Sequence, residues 1–211
     1  MPWYDSFSNI YDYSVELVYK KYRSKVVDKL NVQPDAVVLD LACGTGPNHP
    51  HLVERMSGEG LIVAVDYSAG MIERARKKAQ QKGWDNIVFI QQDACKLTLQ
   101  DIENAVGHAV QINHVIVTLG LSVIPNWQDV FASTFDLLSP GGSYVIFDIH
   151  TTRWVPQTWL VKMAAQADTY RQTWKALDAC SDEFEFEYLP GSAHVHGGQP
   201  FIAVGKRPRS I

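Results

Sequence analysis

A chain of 211 residues is long enough to bury one sizeable core and short for two typical domains plus a linker. Apolar residues make up 46% and charged ones 20%, an ordinary balance for a globular domain, and the net charge of -4 gives no electrostatic reason to expect nucleic acid as a partner. Three widely spaced cysteines, Cys43, Cys95 and Cys180, form neither a CxxC pair nor an even disulfide set, which predicts a reducing, cytoplasmic setting.

The opening residues, MPWYDSFSNIYDYS, carry acids and aromatics where a signal peptide has basic residues and then an apolar run, so export is not expected. Val15, Val18, Tyr19, Tyr22, Val26 and Leu30 trace one face of an N-terminal helix. Five short β-branched runs follow: VVLDL (37–41), LIVAVD (61–66), IVFIQ (87–91), VIVTL (115–119) and SYVIFDI (143–149). Several are continuously apolar, as central strands buried on both faces are. Between them, Ser68 to Lys82 reads as a helix capped by Ser68, striped by Met71, Ile72, Ala75 and Ala79, and ended by Gly83. Asn126 to Leu138 reads as another, closed by SPGG. Leu160, Met163, Ala164, Ala167, Trp174 and Leu177 trace a further helical face, and FEFEYLPGSAHVHGGQPFIAVGK reads as a terminal hairpin. Strands alternating with helices predict an α/β fold, a doubly wound and mostly parallel sheet with right-handed crossovers. The longest mostly apolar run, VIVTLGLSVI (115–124), is well short of the roughly 20 residues that span a bilayer.

In such a sheet ligands bind beyond the carboxyl ends of the strands, so the residues there are the candidates. The first strand leads into DLACGTG, where Gly44 and Gly46 permit a tight turn and close approach of backbone to a ligand. A third glycine of a dinucleotide fingerprint would fall at position 49, which is His49, and the GK[ST] of a phosphate-binding loop is missing. Asp40 stands where it would repel a phosphate and favour a cationic or hydrogen-donating ligand. Asp66, ending the second strand 20 residues past Gly46, suits an acid accepting hydrogen bonds from ribose hydroxyls. Asp93 and Ala94 follow the third strand, where a carboxylate can accept from an exocyclic amine. Three acids at three successive strand ends carry far more information than any one of them. HPH (49–51) and HVH (194–196) each offer two imidazoles without a third ligand nearby, so no metal site is expected. Cys43, inside the glycine turn, reads as a small packing residue. Pro47 reads as tolerated in the first turn of the following helix.

VVLDLACGTG, LIVAVDYSAGMIERARKKA, VFIQQDA and LSPGGSYVIFDI, in this order, resemble the motifs of the class I S-adenosylmethionine-dependent methyltransferases, over roughly residues 10 to 150. The resemblance implies a single-domain Rossmann-like fold over residues 1–211. A lid or cap helix would occupy 1–30, the cofactor-binding core 35–150, and a C-terminal helix with an antiparallel hairpin strand 151–211. It implies S-adenosylmethionine as cofactor and S-adenosylhomocysteine as product. Asp40, Ala42, Gly44 and Gly46 would line the methionine end, and Asp66 would bind the ribose. Tyr67 and Met71 would flank the adenine, Asp93 and Ala94 would meet its edge, and Thr118 and Leu119 would border the sulfonium. Asp40 then makes sense, because this cofactor carries an ammonium and a sulfonium and no phosphate.

The acceptor is narrowed by absences. No NPPY-like tetrapeptide follows the fourth strand, no double-glutamate hairpin is present, and no acidic metal set of the catechol type is evident. Small-molecule or lipid-like acceptors remain, and with them peripheral contact with a membrane. YDSFSNIYDYSVELVYKKY resembles the start of quinone and phospholipid N-methyltransferases, where this segment folds over the cofactor; Tyr4, Phe7, Tyr11 and Tyr19 are its candidate contacts. GTGPNHPHL resembles the turn of lipid and small-amine N-methyltransferases, which points to an amine acceptor. His49, His150 and Tyr11 are the candidate catalytic side chains. Two alternatives stand beside this reading: a non-catalytic protein that binds the same cofactor, and a nicotinamide-dependent oxidoreductase on a related sheet.

Overall fold

The structure, a computed structural model, describes residues 19–152, 156–191 and 197–209. Residues 19–28 are helical and form α1. Then come β1 (Val37–Leu41), α2 (His49–Arg55), β2 (Leu61–Asp66), α3 (Ala69–Lys82), β3 (Ile87–Gln91) and, after a short 3-10 turn at Ala94–Lys96, α4 (Leu99–Val106). The second half runs β4 (Ile112–Thr118), α5 (Trp127–Asp136), β5 (Leu138–His150), α6 (Pro156–Ala165), α7 (Trp174–Cys180), β6 (Asp182–Tyr188) and β7 (Gln199–Lys206). The strands form one sheet in the order β3-β2-β1-β4-β5-β7-β6. All neighbours from β3 to β5 are parallel, and β7 runs antiparallel to both β5 and β6. This is the Rossmann-like sheet with an antiparallel hairpin strand that the motif order implied.

Alternation along the strands sorts the core into two layers. Val38, Ile62, Ile116, Val145 and Phe147 pack under α1 and α2 with Tyr22, Val26, Leu30, Leu52 and Met56. Their neighbours Leu39, Val63, Val115, Val117 and Ile146 face α4, α5 and α7, meeting Ile102, Val130, Phe131 and Leu177. Tyr19 and Tyr22 are both buried against the Phe147 ring, so they belong to the core stripe of α1. Burial of this extent on both faces explains why the runs in β1, β2, β4 and β5 are mostly apolar and do not alternate.

Several boundaries differ from expectation, β4 among them, which starts at Ile112 and not at Val115. Helix α5 stops at Asp136, and Leu138–Gly142 already belong to β5. A Cβ at Gly142 would stand 2.6 Å from the Asn113 carbonyl, so β5 passes its neighbour too closely for a side chain there. The downstream stripe is not one helix: α6 and α7 are separate, Ala167 is buried between them, and Met163 is 58% exposed. The side chains of Leu160 and Ala164 lie outside the described residues, as do Val15 and Val18. Pro47 precedes α2 altogether, and the proline of its first turn is Pro50.

His114, in register between Val38 of β1 and Ser143 of β5, is buried with no hydrogen-bond partner at Nδ1. Burial pushes its pKa down from 6.5 to about 4, so the folded chain holds it neutral and sheds the proton that the unfolded chain would bind. Its contribution to stability is therefore present above pH 6.5 and lost as pH falls towards 4. His114→Leu is expected to stabilise the protein by about 1 kcal/mol at pH 7, by removing an unsatisfied buried nitrogen, and by more as pH falls through that window. Urea denaturation at pH 7, 6 and 5 measures this, and an advantage that does not grow on acidification refutes it.

Candidate active site

The carboxyl ends of β1, β2, β3 and β4 lie side by side, and each is followed by a turn that the sequence reading singled out. After β1, Ala42, Gly44 and Gly46 alternate in the left-handed region at φ +53°, +56° and +72°. That alternation folds the turn back on itself. A Cβ on Gly44 would meet nothing within 4 Å, whereas one on Gly46 would strike the His49 ring at 2.2 Å. One side of the turn is open space and the other is closed by protein.

Asp66 braces this turn from the next strand. Its Oδ2 accepts the Gly44 N–H at 2.8 Å and its Oδ1 accepts the Ser68 N–H at 2.9 Å. Burial pushes its pKa upward, and backbone donors at Ser68, Gly44 and Tyr67 pull it back. A carboxylate has about four acceptor sites, so with these donors in place it can hold the turn and still accept from a ligand hydroxyl. Lys78 of α3 also holds the turn, donating to the Gly46 carbonyl at 2.9 Å. Beyond Asp66, Tyr67 is 66% exposed while Met71 is buried on the first turn of α3, whose N-terminus is capped by Ser68. Asp93 uses Oδ1 to accept the Cys95 N–H and cap the 3-10 turn that begins at Ala94.

Asp40 lies beneath the turn, where a ligand was expected to meet it. It is fully buried; its Oδ1 accepts from Asn48 Nδ2 at 3.0 Å, and its Oδ2 lies 3.2 Å from His49 Nε2. His49 is equally enclosed, with its ring packed edge-on to Phe89. The structure thus gives His49 a packing place under Gly46 and no opening towards an acceptor. The charge argument for Asp40 changes with it, because a buried cation shares the same network. Arg23 of α1, 3% exposed, donates through Nη1 to Thr118 Oγ1 at 2.6 Å and to Asn48 Oδ1 at 3.2 Å. Asn48 Nδ2 also donates to Thr118 Oγ1, at 3.1 Å. Cys43 is packed with Ala64 and Ile72, and burial, helped by Asp40 and Asp66, pushes its thiol well up, so it is no nucleophile.

The end of β4 closes the site on its other side. Leu119 holds φ +57°, with its N–H bonded to the Phe147 carbonyl, and a Cβ on Gly120 would come within 2.9 Å of the Ala42 Cβ. Non-glycine residues in the left-handed region at the ends of two adjacent strands are a concentration of strain that binding sites share. The loop is anchored from below by Asp148, whose Oδ2 accepts the Ser122 N–H, and by Arg171, whose Nη1 donates to the Leu121 and Ile124 carbonyls. Burial raises the Asp148 pKa to about 6. His150 ends β5 with Nδ1 2.9 Å from the Tyr188 hydroxyl and its ring against Trp174. Burial and Lys175 hold its pKa down. Tyr11, Tyr4, Phe7 and the HVH segment lie outside the described residues. Among those described, no group of three or more His, Cys, Asp or Glu side chains could hold a metal ion.

Arg23, Asn48, Lys78, Asp148 and Arg171 were missed by the reading of strand ends. For Arg23 a signal existed: it falls four residues after Tyr19 and three before Val26, a charge on the apolar stripe of α1. For the others, local pattern carries no comparable sign.

The family model described as a methyltransferase domain matches residues 33–190 of this chain. Among curated proteins, the demethylmenaquinone methyltransferase of Listeria welshimeri is 24% identical over 147 residues, covering 70% of this chain and 58% of its own length. The chain therefore spans a little over half of that relative. Among solved structures, phosphoethanolamine N-methyltransferase 2 of Haemonchus contortus, in complex with S-adenosyl-L-methionine, superposes with a TM-score of 0.72 at 11% identity, covering 93% of this chain and 56% of that one. Geranyl diphosphate C-methyltransferase of Streptomyces coelicolor A3(2) gives 0.70 at 12% identity, covering 89% and 75%. At such identities these likenesses speak for the fold.

Proposed function

The chain belongs to the methyltransferase domain family, and from that membership we propose that it transfers a methyl group from S-adenosylmethionine to a small-molecule or lipid-like acceptor, an amine foremost. The observation that carries this reading is the brace at the mouth of the site. A half-exposed turn with open space over Gly44 is held to Asp66, a carboxylate that keeps lone pairs for ribose hydroxyls. These residues fit the cofactor. Gly44 and Ala42 would hold its amino-acid end, Asp66 the ribose, Tyr67 and Met71 the faces of the adenine, and Asp93 with Ala94 its edge. Leu119 and Thr118 would flank the sulfur. When bound, the cofactor supplies a methyl group on a cationic sulfur, already activated for in-line displacement.

The protein's part is then chiefly alignment, worth about 7–11 kcal/mol in well-oriented systems. The left-handed Ala42 and Leu119, packed across Gly120, set the two loops that would face the reacting centre at a fixed separation. A general base is required only if the acceptor keeps its proton at working pH. Among the described residues His150 suits that task better than His49, because, though buried itself, it is held neutral with Nδ1 against the hydroxyl of the part-exposed Tyr188, while the His49 ring packs under the turn against Asp40 and Phe89. The lipid-like side of the proposal is supported by the likeness to demethylmenaquinone methyltransferase, and the amine by the resemblance of GTGPNHPHL to the turn of small-amine N-methyltransferases. A cytoplasmic setting is supported by three free cysteines, and no described helix is long and apolar enough to cross a membrane.

Calorimetric titration with S-adenosylmethionine and S-adenosylhomocysteine is expected to show one-to-one binding of both, with transfer of labelled methyl to at least one of a primary amine, a quinol, a carboxylic acid and a phospholipid. No binding of either at millimolar concentration would refute the cofactor assignment. Binding without transfer to any member would make the chain a cofactor-binding protein instead.

A further inference from the structure

Thr118 ends β4 with its side-chain hydroxyl already engaged by two donors. Its Oγ1 receives two hydrogen bonds, from Arg23 Nη1 at 2.6 Å and from Asn48 Nδ2 at 3.1 Å. A threonine hydroxyl has two acceptor lone pairs and one proton to donate. With both lone pairs occupied, the hydroxyl can offer only its proton, and that proton must point away from the two incoming donors. Among the described residues Thr118 donates to no protein acceptor. The side chain is 7% exposed at the carboxyl end of the strand, where Leu119 turns into the left-handed region and the site begins.

Neither donor can turn away and free a lone pair. Asn48 is fully buried and its Nδ2 is shared with Asp40 Oδ1, which fixes its amide orientation, because only the NH2 group can serve both oxygens. Its Oδ1 then accepts from the same Arg23 nitrogen. Arg23 is 3% exposed with its guanidinium 5.9 Å from the Phe147 ring centroid, and it cannot lose its proton. A permanent cation, a fixed amide and a buried carboxylate thus impose a single polarity on one hydroxyl, and the Arg23 charge makes its O–H a stronger donor.

We propose that Thr118 is a dedicated hydrogen-bond donor to an oxygen lone pair of the bound ligand, and that Arg23 is the positioning residue that holds it in that role. This inference rests on the methyltransferase reading of the same site. Two ligand oxygens share the required chemistry, the carboxylate of the methyl donor's amino-acid end and an oxygen of the methyl acceptor. An unprotonated sulfur or a cationic ammonium would gain nothing from such a donor. Arg23 lies 95 residues from Thr118 in the chain, so the donor forms only when α1 is seated on the sheet.

The test compares Thr118→Val, Thr118→Ser and Arg23→Met in the full chain by calorimetry with S-adenosylhomocysteine and with 5′-methylthioadenosine, which lacks the amino-acid carboxylate, and by steady-state transfer to the acceptor found active. If the partner is the carboxylate, Thr118→Val is expected to weaken S-adenosylhomocysteine at least tenfold and leave 5′-methylthioadenosine within twofold of wild type. If the partner is an acceptor oxygen, both affinities hold and the acceptor KM rises at least tenfold with kcat little changed. In either case Thr118→Ser restores wild-type behaviour, and Arg23→Met combined with Thr118→Val is no worse than Thr118→Val alone. Unchanged cofactor affinity and KM in a folded Thr118→Val protein would overturn the proposal, as would strict additivity of the two changes. Should Arg23→Met fail to fold, the Val and Ser pair at Thr118 still decides the donor role. Failure of wild-type protein to bind either nucleoside would count against the methyltransferase reading itself and is told apart by that control.

Discussion

Gly46→Ala is expected to destabilise the protein by about 3–5 kcal/mol, read as a lower midpoint in urea with little change in slope. Two costs add. An alanine at φ +72° is strained wherever it stands, and its Cβ would overlap the His49 ring, 2.2 Å from Nδ1 and 2.5 Å from Cε1. The ring cannot swing aside into solvent, because it is fully buried between Asp40 and Phe89. Displacing it would leave the Asp40 Oδ2 side of a sealed carboxylate without its neighbour, a costly way to relieve a clash. The two costs can be separated: in a His49→Ala background the overlap disappears and only the backbone strain, about 1–3 kcal/mol, is left. A Gly46→Ala penalty of equal size with and without the imidazole would show that the ring is not what closes this side of the turn.

Asp66→Ala is expected to weaken S-adenosylhomocysteine binding by at least tenfold and to lower the unfolding midpoint as well. The carboxylate joins the turns after β1 and β2, accepting Gly44 N–H at one oxygen and Ser68 N–H at the other. Truncation strands the backbone donors that it accepts from, at about 1–3 kcal/mol for each that water cannot reach, and deletes the acceptor proposed for the ribose. Asp66→Asn sharpens the result. The amide can accept at one oxygen but presents an NH2 to the other backbone donor, so it should lose stability nearly as Ala does while keeping part of the affinity. Calorimetry on both variants decides the ligand role; unchanged affinity in the two would leave Asp66 as a brace of the fold alone.

The two oppositely shifted buried groups make the pH response legible. Asp148, raised to about 6 by burial, binds a proton in the folded state that it would release unfolded, so its contribution weakens as pH rises from about 4 to 6. His114 runs the other way over nearly the same range. Their slopes oppose each other, which is why removing His114 alone should expose a chain that gains stability on mild acidification.

How far the sequence went can be judged at particular residues. β1, β2 and β3 have the bounds that their apolar runs predict, and α3 lies between the Ser68 cap and a left-handed Gly83. Those signals are local: a β-branched run buried on both faces, a hydroxyl that accepts the Met71 N–H, a residue without Cβ where the helix ends. The placing of Asp66 and of the glycine turn was legible for the same reason, since each sits at a fixed offset from a strand end. By contrast, nothing local told that Asp40 would be sealed beneath the turn rather than open on it, or that His49 would be buried beside it.

What the sequence alone determined, then, is the order of elements, the sheet class and the line of acids and glycines along the strand ends, because backbone preference and hydrophobic periodicity act over a few residues. The tertiary structure alone decided which of those polar groups remain available. A buried polar side chain depends on whatever partners the fold brings beside it, and here most come from far along the chain: Arg23 and Asn48 to Thr118, and Gly44 to Asp66, with Asn48 also reaching the nearby Asp40. Asp40 lost its role as a free charge to that network, and Thr118 acquired an obligate direction from it.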